Sequence, residues 1–453
     1  MRLSFLGLAL VACGPAELID QLADMPGVHD VTEMPTQTDG YRYFVLHFEQ
    51  PVDHADEDGP TFLQEVSLLH RDAARPMIEW TSGYWDYYND RAVELTQILD
   101  ANQVSIEHRY FGESRPDPAD WTKLTIEQMA ADQHAITKAL QDVYDGAFIT
   151  SGGSKGGMTA TYYRRFYPDD VEGTVPYVAP ISFGAPDLRY APFLDAVGTP
   201  ECRQAVRDAA TEMLANRRAM LTTRTQDEAT ANGYVYARVP IDPAVESAVF
   251  NLEWSFWQYF GITYCPMVPL PSATDDAMWK FLDDVSPVSD NRDERIAQFE
   301  AYYFQAYLQL GYPDGGAMYL DPYLRYTDAD YLNALPTAQP AYDGGAAMLD
   351  IDDFVRTRGE RLLFIYGEWD PWTAGKFELG DARDSSLFIQ PQGTHGSRIT
   401  RLPAADRDAA FAKLEAWTGV KPTIPTPRTS QEPREVHLPS AVIRALRVRQ
   451  LSP

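Results

Sequence analysis

An α/β fold, with a mostly parallel sheet and a long helical insertion, is what this sequence predicts on three observations. Strand-like apolar runs alternate with helical stretches from Met77 to Ile181, the alternation stops between about 182 and 350, and it resumes from Leu362 to Trp417. Parallel neighbours need a crossover, usually a helix, so alternation implies βαβ units, with sites expected beyond the carboxyl ends of the strands.

The bulk properties agree with a globular chain. Its 453 residues, 45% apolar and 12% aromatic, are enough to bury one large core or two moderate ones. A net charge of -28 repels nucleic acid and anionic headgroups and suits a cationic ligand, although solubility or adaptation to salt is the ordinary reading of such acidity. No C-x-x-C or His-rich spacing suggests a metal site, and no cofactor is expected.

Residues 1–13 carry Arg2, an apolar run of about ten residues, then Leu10-Val11-Ala12-Cys13, too short to span a bilayer. This reads as an export signal. Leu-Val-Ala-Cys resembles the lipobox of bacterial lipoprotein signals, which implies Cys13 as the lipidated anchor and the only membrane contact; plain secretion is the alternative. Setting Cys13 aside leaves Cys202 and Cys265, an even pair in an exported chain and so an expected disulfide.

Residues 14–40, with Pro15, Pro26 and Pro35 and little periodicity, read as a tether. The first part of the α/β domain then covers 41–181. Tyr41–Phe48 and Thr61–Leu69 are strand-like around an Asp/Gly/Pro turn and predict an edge hairpin. Met77–Trp80, Val104–His108, Ala147–Thr150 and Gly173–Ile181 predict strands, with helices over Asp90–Leu99, Leu124–Val143 and Met158–Tyr167. Residues 182–350, rich in aromatics such as Trp254-Ser255-Phe256-Trp257, read as an inserted helical lid. The second part, 351–419, holds strands at Leu362–Tyr366 and Ser386–Ile389 and a helix at Ala404–Trp417, and the Pro-rich segment 420–453 ends in a short basic helix from Ser440 to Leu451.

The strand at Phe148 meets the helix after it at Gly152-Gly153-Ser154-Lys155-Gly156, a G-x-S-x-G turn in which glycines let a strand bend sharply and hold the serine exposed and strained. Ser154 is therefore the nucleophile candidate. An α/β-hydrolase orders its triad Ser, acid, His, each on a loop after a strand, because the serine needs a base and the base an orienting carboxylate. Asp370 follows the Leu362–Tyr366 strand where the acid belongs, with helix capping ahead of Pro371 as its ordinary alternative role and Glu368 as the reserve acid. His395, flanked by Gly393 and Gly396 after the next strand, alone of the eight histidines meets the order. An oxyanion hole needs two N–H groups. The Lys155 N–H is one, and the loop Ser82-Gly83-Tyr84 offers the other, with Tyr84 favoured over Gly83.

Gly152-Gly153-Ser154-Lys155-Gly156-Gly157-Met158 and, upstream, Glu107-His108-Arg109-Tyr110-Phe111-Gly112-Glu113-Ser114 resemble the prolyl tripeptidyl aminopeptidase family of secreted bacterial serine peptidases. More distantly, they are similar to the lysosomal prolyl carboxypeptidase and dipeptidyl peptidase family. The resemblance covers most of Tyr41 to Trp417. It implies an α/β-hydrolase with a helical lid that removes short peptides from free N-termini, often after proline, with Ser154, Asp370 and His395 at the triad positions. Lys155 stands where the lysosomal group usually has tyrosine, which favours the bacterial branch. Glu107 and Arg109 are expected to brace the elbow rather than react.

Substrates with free N-termini are the partners this implies, and a desolvated α-ammonium needs a carboxylate. Glu253, in the aromatic stretch Phe250–Trp257, is the first choice, and Glu201, beside Cys202, the second. An esterase or lipase and a dipeptidyl or prolyl carboxypeptidase-like specificity are the competing enzyme readings; a catalytically dead binding protein is disfavoured because all three triad positions are intact.

Overall fold

The computed structural model describes residues 17–56, 58–86, 90–338, 340–425, 439–442 and 444. Among them nine strands form one sheet: β1 (Val28–Met34), β2 (Arg42–Pro51), β3 (Thr61–His70), β4 (Met77–Thr81), β5 (Asn102–Ile106), β6 (Phe148–Gly153), β7 (Gly173–Tyr177), β8 (Leu363–Gly367) and β9 (Ser386–Gln390), in the order β1-β2-β3-β5-β4-β6-β7-β8-β9. From β5 to β9 all neighbours are parallel, whereas β1, β2 and β3 pair antiparallel with one another and β3 with β5. The fold is that of an α/β-hydrolase: the strand order reverses between β5 and β4, and β4 and β6 occupy the sheet centre.

The central strands β4, β5, β7 and β8 are buried at every position, the signature of a parallel sheet covered on both faces. Helices α1 (Leu18–Ala23), α2 (Glu94–Leu99), α3 (Ile126–Gln141) and α4 (Lys155–Phe166) belong to this first half, and α3 and α4 pack on each other. Thr125 caps α3 through the Gln128 N–H. Glu79 in β4 is fully buried beneath α3, bonded to Thr137 (2.6 Å) and Gln133 (3.1 Å).

Three expectations need correction. The 14–40 tether contains α1 and β1, tied down by the buried Leu22 and Met25 and by pairing of β1 along β2. The hairpin β2–β3 is consequently not the sheet edge. Alternating burial in β1 is weak, as expected of an edge strand with one solvated flank, so the segment carries little periodic signal. The second helix also starts at Glu94 rather than Asp90.

Between β7 and β8 the chain is helical, from Tyr190–Ala196 through Pro200–Glu212, Arg218–Asn232, Ile241–Phe250 and Asp275–Val285 to Ala346–Arg358. Two π-helical turns, Phe256–Phe260 and Ala306–Leu310, end the helices Leu252–Ser255 and Glu300–Gln305, and a third, Met213–Arg217, joins Pro200–Glu212 to Arg218–Asn232, a distortion that often accompanies functional sites. Cys202 and Cys265 are joined in a disulfide across 63 residues of chain, linking Pro200–Glu212 to the turn Ile262–Met267. On the loop-entropy account this cross-link stabilises by about 4 kcal/mol. Cys202→Ser with Cys265→Ser should accordingly lower the midpoint of urea unfolding; an unchanged midpoint, or two free thiols by mass in the oxidised protein, rejects that role.

The C-terminal residues Pro439–Val442 and Arg444 return to this helical layer. Arg444, 2% exposed at its side chain, bonds Glu246 (3.2 Å) and Asp328 (2.9 Å), and the Ala441 N–H donates to Asn291 (2.7 Å). The rest of the expected basic helix and Cys13 lie outside the described residues. Among the described residues no helix is long and apolar enough to cross a membrane, and no cluster of His, Cys, Asp and Glu could hold a metal ion.

Candidate active site

Strand β6 and helix α4 meet at the sheet centre, and the turn between them is compressed. A Cβ on Gly156 would lie 1.9 Å from the Thr81 carbonyl oxygen, and one on Gly152 would lie 2.3 Å from the Gly156 carbonyl carbon, so only glycine allows strand and helix this close. Ser154 takes φ 54° and ψ -123°, a conformation that costs a non-glycine residue about 1–3 kcal/mol. Backbone bonds hold it there: the Ser154 N–H donates to Tyr177 O (2.8 Å), and its carbonyl accepts from the Met158 N–H (3.0 Å).

Asp370 and His395 lie on the loops after β8 and β9. Asp370, 0% exposed, accepts the Nδ1 contact of His395 at 2.7 Å through Oδ2, and through Oδ1 it accepts the Trp372 N–H at 3.2 Å. One oxygen of Asp370 thus meets the His395 ring while the other caps the turn that starts at Pro371. Glu368 is exposed and instead holds the backbone of the histidine loop, accepting the Gln392 N–H at 2.7 Å. The His395 N–H donates to the Gln258 carbonyl (2.8 Å), and Tyr259 meets the imidazole edge to face at 6.1 Å. A π-helical turn of the helical layer therefore holds the histidine loop directly.

That turn also walls a cavity whose aromatic lining is Phe250, Trp254, Tyr259, Tyr302, Tyr303, Tyr312 and Trp372, completed by Asn251, Ser255, Gln258, Ala306, Pro313 and Gly315. Trp372 stands two residues from Asp370, Tyr259 meets the His395 ring, and Tyr302 lies 5.7 Å from the Tyr84 ring, so the cavity lies beside the loops that carry Asp370, His395 and Tyr84. The described lining has no carboxylate and no cation. Sequence reasoning flagged the aromatic stretch at 250–257 but not its partners at 302–315, whose signal was only their own aromatic density.

The carboxylates expected to receive a substrate ammonium do not line this cavity. Glu253 turns to Arg207, whose Nε donates at 2.8 Å, and burial pushes the Glu253 carboxyl up to about 7 against the pull of that guanidinium. An internal partner was available from Pro200–Glu212, which local sequence could not reveal. Glu201 is exposed and borders a separate surface groove with Pro269, Leu270 and Pro271.

Glu107 and Arg109 are structural, but they brace a different place from the one expected. Glu107 accepts the Ser114 hydroxyl (2.8 Å) and the Glu113 and Asp86 N–H groups, closing the 107–114 loop on itself. Arg109 forms a bidentate pair with Asp132 of α3 (2.6 and 2.7 Å) and donates to the Val52 and Lys123 carbonyls. None of these partners belongs to the serine turn.

As the first residue of α4, Lys155 has an N–H that no intrahelical carbonyl can reach, as an oxyanion donor requires. The Tyr84 N–H is already given to Ser82 Oγ (2.9 Å) and the Gly83 N–H to Thr81 Oγ1 (3.1 Å). A developing oxyanion would have to share one of these donors.

Residues 14–444 match the family model described as PS-10 peptidase S37. The chain belongs to the peptidase S37 family. This S37 peptidase is 41% identical over 420 residues to the prolyl tri/tetrapeptidyl aminopeptidase of Streptomyces mobaraensis, covering 91% of this chain and 87% of that one. It is also 35% identical over 164 residues to the lysosomal Pro-X carboxypeptidase of Mus musculus, across 31% of this chain and 33% of the mouse protein. Both relationships agree with a serine peptidase. Among solved structures, the peroxisomal alpha-beta-hydrolase Lpx1 of Saccharomyces cerevisiae aligns at a TM-score of 0.37 and 12% identity over 91% of this chain and 98% of that one. The fold assignment rests on strand order and direction.

Proposed function

We propose that this peptidase is an exported aminopeptidase that releases short peptides, chiefly tripeptides with proline or a small residue at the cleavage site, from free N-termini. The observation carrying this reading is the bonded Asp370–His395 pair beside an apolar, aromatic cavity, in a chain 41% identical to a prolyl tri/tetrapeptidyl aminopeptidase. Aromatic walls without a charge favour a compact apolar side chain such as a pyrrolidine ring over a polar one.

In this reading Ser154 Oγ attacks the scissile carbonyl while His395 takes its proton, and Asp370 keeps the imidazole oriented and stabilises its charged form. The Lys155 and Tyr84 N–H groups receive the oxyanion. His395 then protonates the departing amine as the C–N bond breaks, leaving the short peptide as an ester on Ser154. Water, deprotonated by His395, releases it as a carboxylate and restores the serine. The substrate ammonium lies outside the aromatic cavity, because nothing in the described lining compensates a desolvated cation. Export through residues 1–13, with Cys13 as the lipid anchor, completes the proposal and is tested by the mass of the mature N-terminus.

The decisive assay is a panel of tripeptide arylamides with free and acylated N-termini, run beside acyl esters and peptides ending in Pro-X. We expect proline at the third position with a free amine to give the highest kcat/KM, and acylation to lower it by one to three orders of magnitude, the scale of an unpaired interfacial charge. Equal rates on free and blocked peptides reject the aminopeptidase reading. Preference for acyl esters would indicate an esterase, and trimming of Pro-X ends a carboxypeptidase.

A further inference from the structure

The serine turn carries a second chemical group that the reaction described above does not use, the side chain of Lys155. Residue 155 is 2% exposed, and its amine, instead of reaching solvent, donates to the Gly83 carbonyl. It also stands 5.2 Å from the ring centroids of both Tyr84 and Phe111. No carboxylate pairs with it among the described residues, and burial pushes the amine well below the ordinary lysine range. Burying an amine without a counter-charge is unfavourable, so its retention here calls for something the bond to Gly83 accomplishes.

The geometry of that bond supplies an answer. The Gly83 carbonyl and the Tyr84 N–H belong to one planar trans peptide unit, in which C=O and N–H point in opposite directions. A donor that fixes the carbonyl therefore fixes the direction of the N–H. Gly83 is itself pressed against the turn: it has φ +76°, and a Cβ there would meet the Lys155 carbonyl carbon and Cγ at 2.8 Å and the Gly156 nitrogen at 2.9 Å. The Tyr84 ring also meets Phe299 (5.5 Å) and the cavity residue Tyr302 (5.7 Å). One residue thus touches both halves of the oxyanion site, its own N–H at the start of α4 and the peptide plane that presents the other.

We propose that the Lys155 side chain is a positioning residue that clamps the Gly83–Tyr84 peptide plane against the serine turn, so that the Lys155 and Tyr84 N–H groups converge on the transition-state oxyanion. The inference rests on the Ser154 acyl-transfer reading. It requires a hydrogen-bond donor at the end of the side chain rather than a net charge. The clamp acts on the tetrahedral oxyanion more than on the planar ground-state carbonyl, so its loss appears in kcat.

The test uses the full chain and whichever arylamide or ester the wild type turns over best. Lys155→Met removes the donor and keeps an apolar stem; Lys155→Gln restores a shorter donor without charge. We expect Lys155→Met to lower kcat about 10- to 100-fold, below the cost of deleting a donor outright, with KM within about threefold. Affinity for a peptide aldehyde, which forms a tetrahedral adduct on Ser154, should fall by the same factor as kcat, while affinity for the product peptide stays unchanged. The melting temperature should not fall, because an uncompensated buried amine has been removed. Lys155→Gln should recover part of the lost kcat. Unchanged kcat in Lys155→Met, or a loss in Lys155→Gln as large as in Lys155→Met, overturns the clamp. So does a kcat loss that the aldehyde affinity does not follow. Should Lys155→Met fail to fold, Lys155→Ala, which also removes the donor, takes its place on the same criteria. A wild type that neither turns over these substrates nor reacts with a fluorophosphonate refutes the acyl-transfer reading and the clamp together, whereas an active wild type with an unaffected Lys155→Met removes the clamp alone.

Discussion

Ser154→Ala is expected to leave a folded protein whose turnover falls by roughly a millionfold, the scale seen when a triad serine is removed from a serine peptidase. Folding should survive because the hydroxyl makes no capping bond to α4, and alanine inherits the same backbone strain at φ 54° without adding a new contact. The bonds that enforce the turn, Ser154 N–H to Tyr177 O and Met158 N–H to Ser154 O, are backbone and persist. Active-site titration with a fluorophosphonate should drop to zero labelled protein while the circular dichroism spectrum and melting temperature stay close to wild type. Residual labelling at another serine, or turnover within a hundredfold of wild type, would remove Ser154 from the nucleophile role.

The second large effect is at the acid, where Asp370→Asn should cost about ten-thousandfold in kcat. The side chain is completely buried between His395 and the Trp372 N–H, so asparagine fits the space and can still accept the backbone bond. What it cannot do is accept the Nδ1 proton with the other atom: its NH2 favours the tautomer with Nδ1 bare and Nε2 protonated, which leaves no base facing the serine. Glu368→Gln is the control. Among the described residues its carboxylate accepts only the Gln392 N–H, in the exposed part of the loop, so the loss should stay within about tenfold of wild type, as for other exposed substitutions. If Glu368→Gln proves damaging while Asp370→Asn is mild, the acid has been assigned to the wrong residue.

Much of this was legible in the chain because it depends on local rules. The alternation of apolar runs and helical periods identifies parallel units, since both periods repeat within a few residues and answer to burial on a sheet face or a helix stripe. Gly152 to Gly156 announce the sharp turn because no other residue allows Thr81 O so near α4. Asp370 and His395 were selected by their order and flanking loops, and the side chains so selected are bonded to each other at 2.7 Å. Cys202 and Cys265 needed only a count and a compartment.

Tertiary structure alone decided everything that depends on which distant segments meet. Residues 28–34 became a strand because β2 offered a free edge, a fact absent from their own weak pattern. Glu253 pairs with Arg207, 46 residues away and 2.8 Å from it, and does not line the aromatic cavity; sequence does not name that neighbour. The cavity draws its walls from 250–259, 302–315 and Trp372, segments whose approach follows from helix packing across the insertion. Lys155 reads in the sequence as one residue of a G-x-S-x-G turn, and only its burial against Gly83, Tyr84 and Phe111 shows that its amine is directed inward to a carbonyl rather than outward to water.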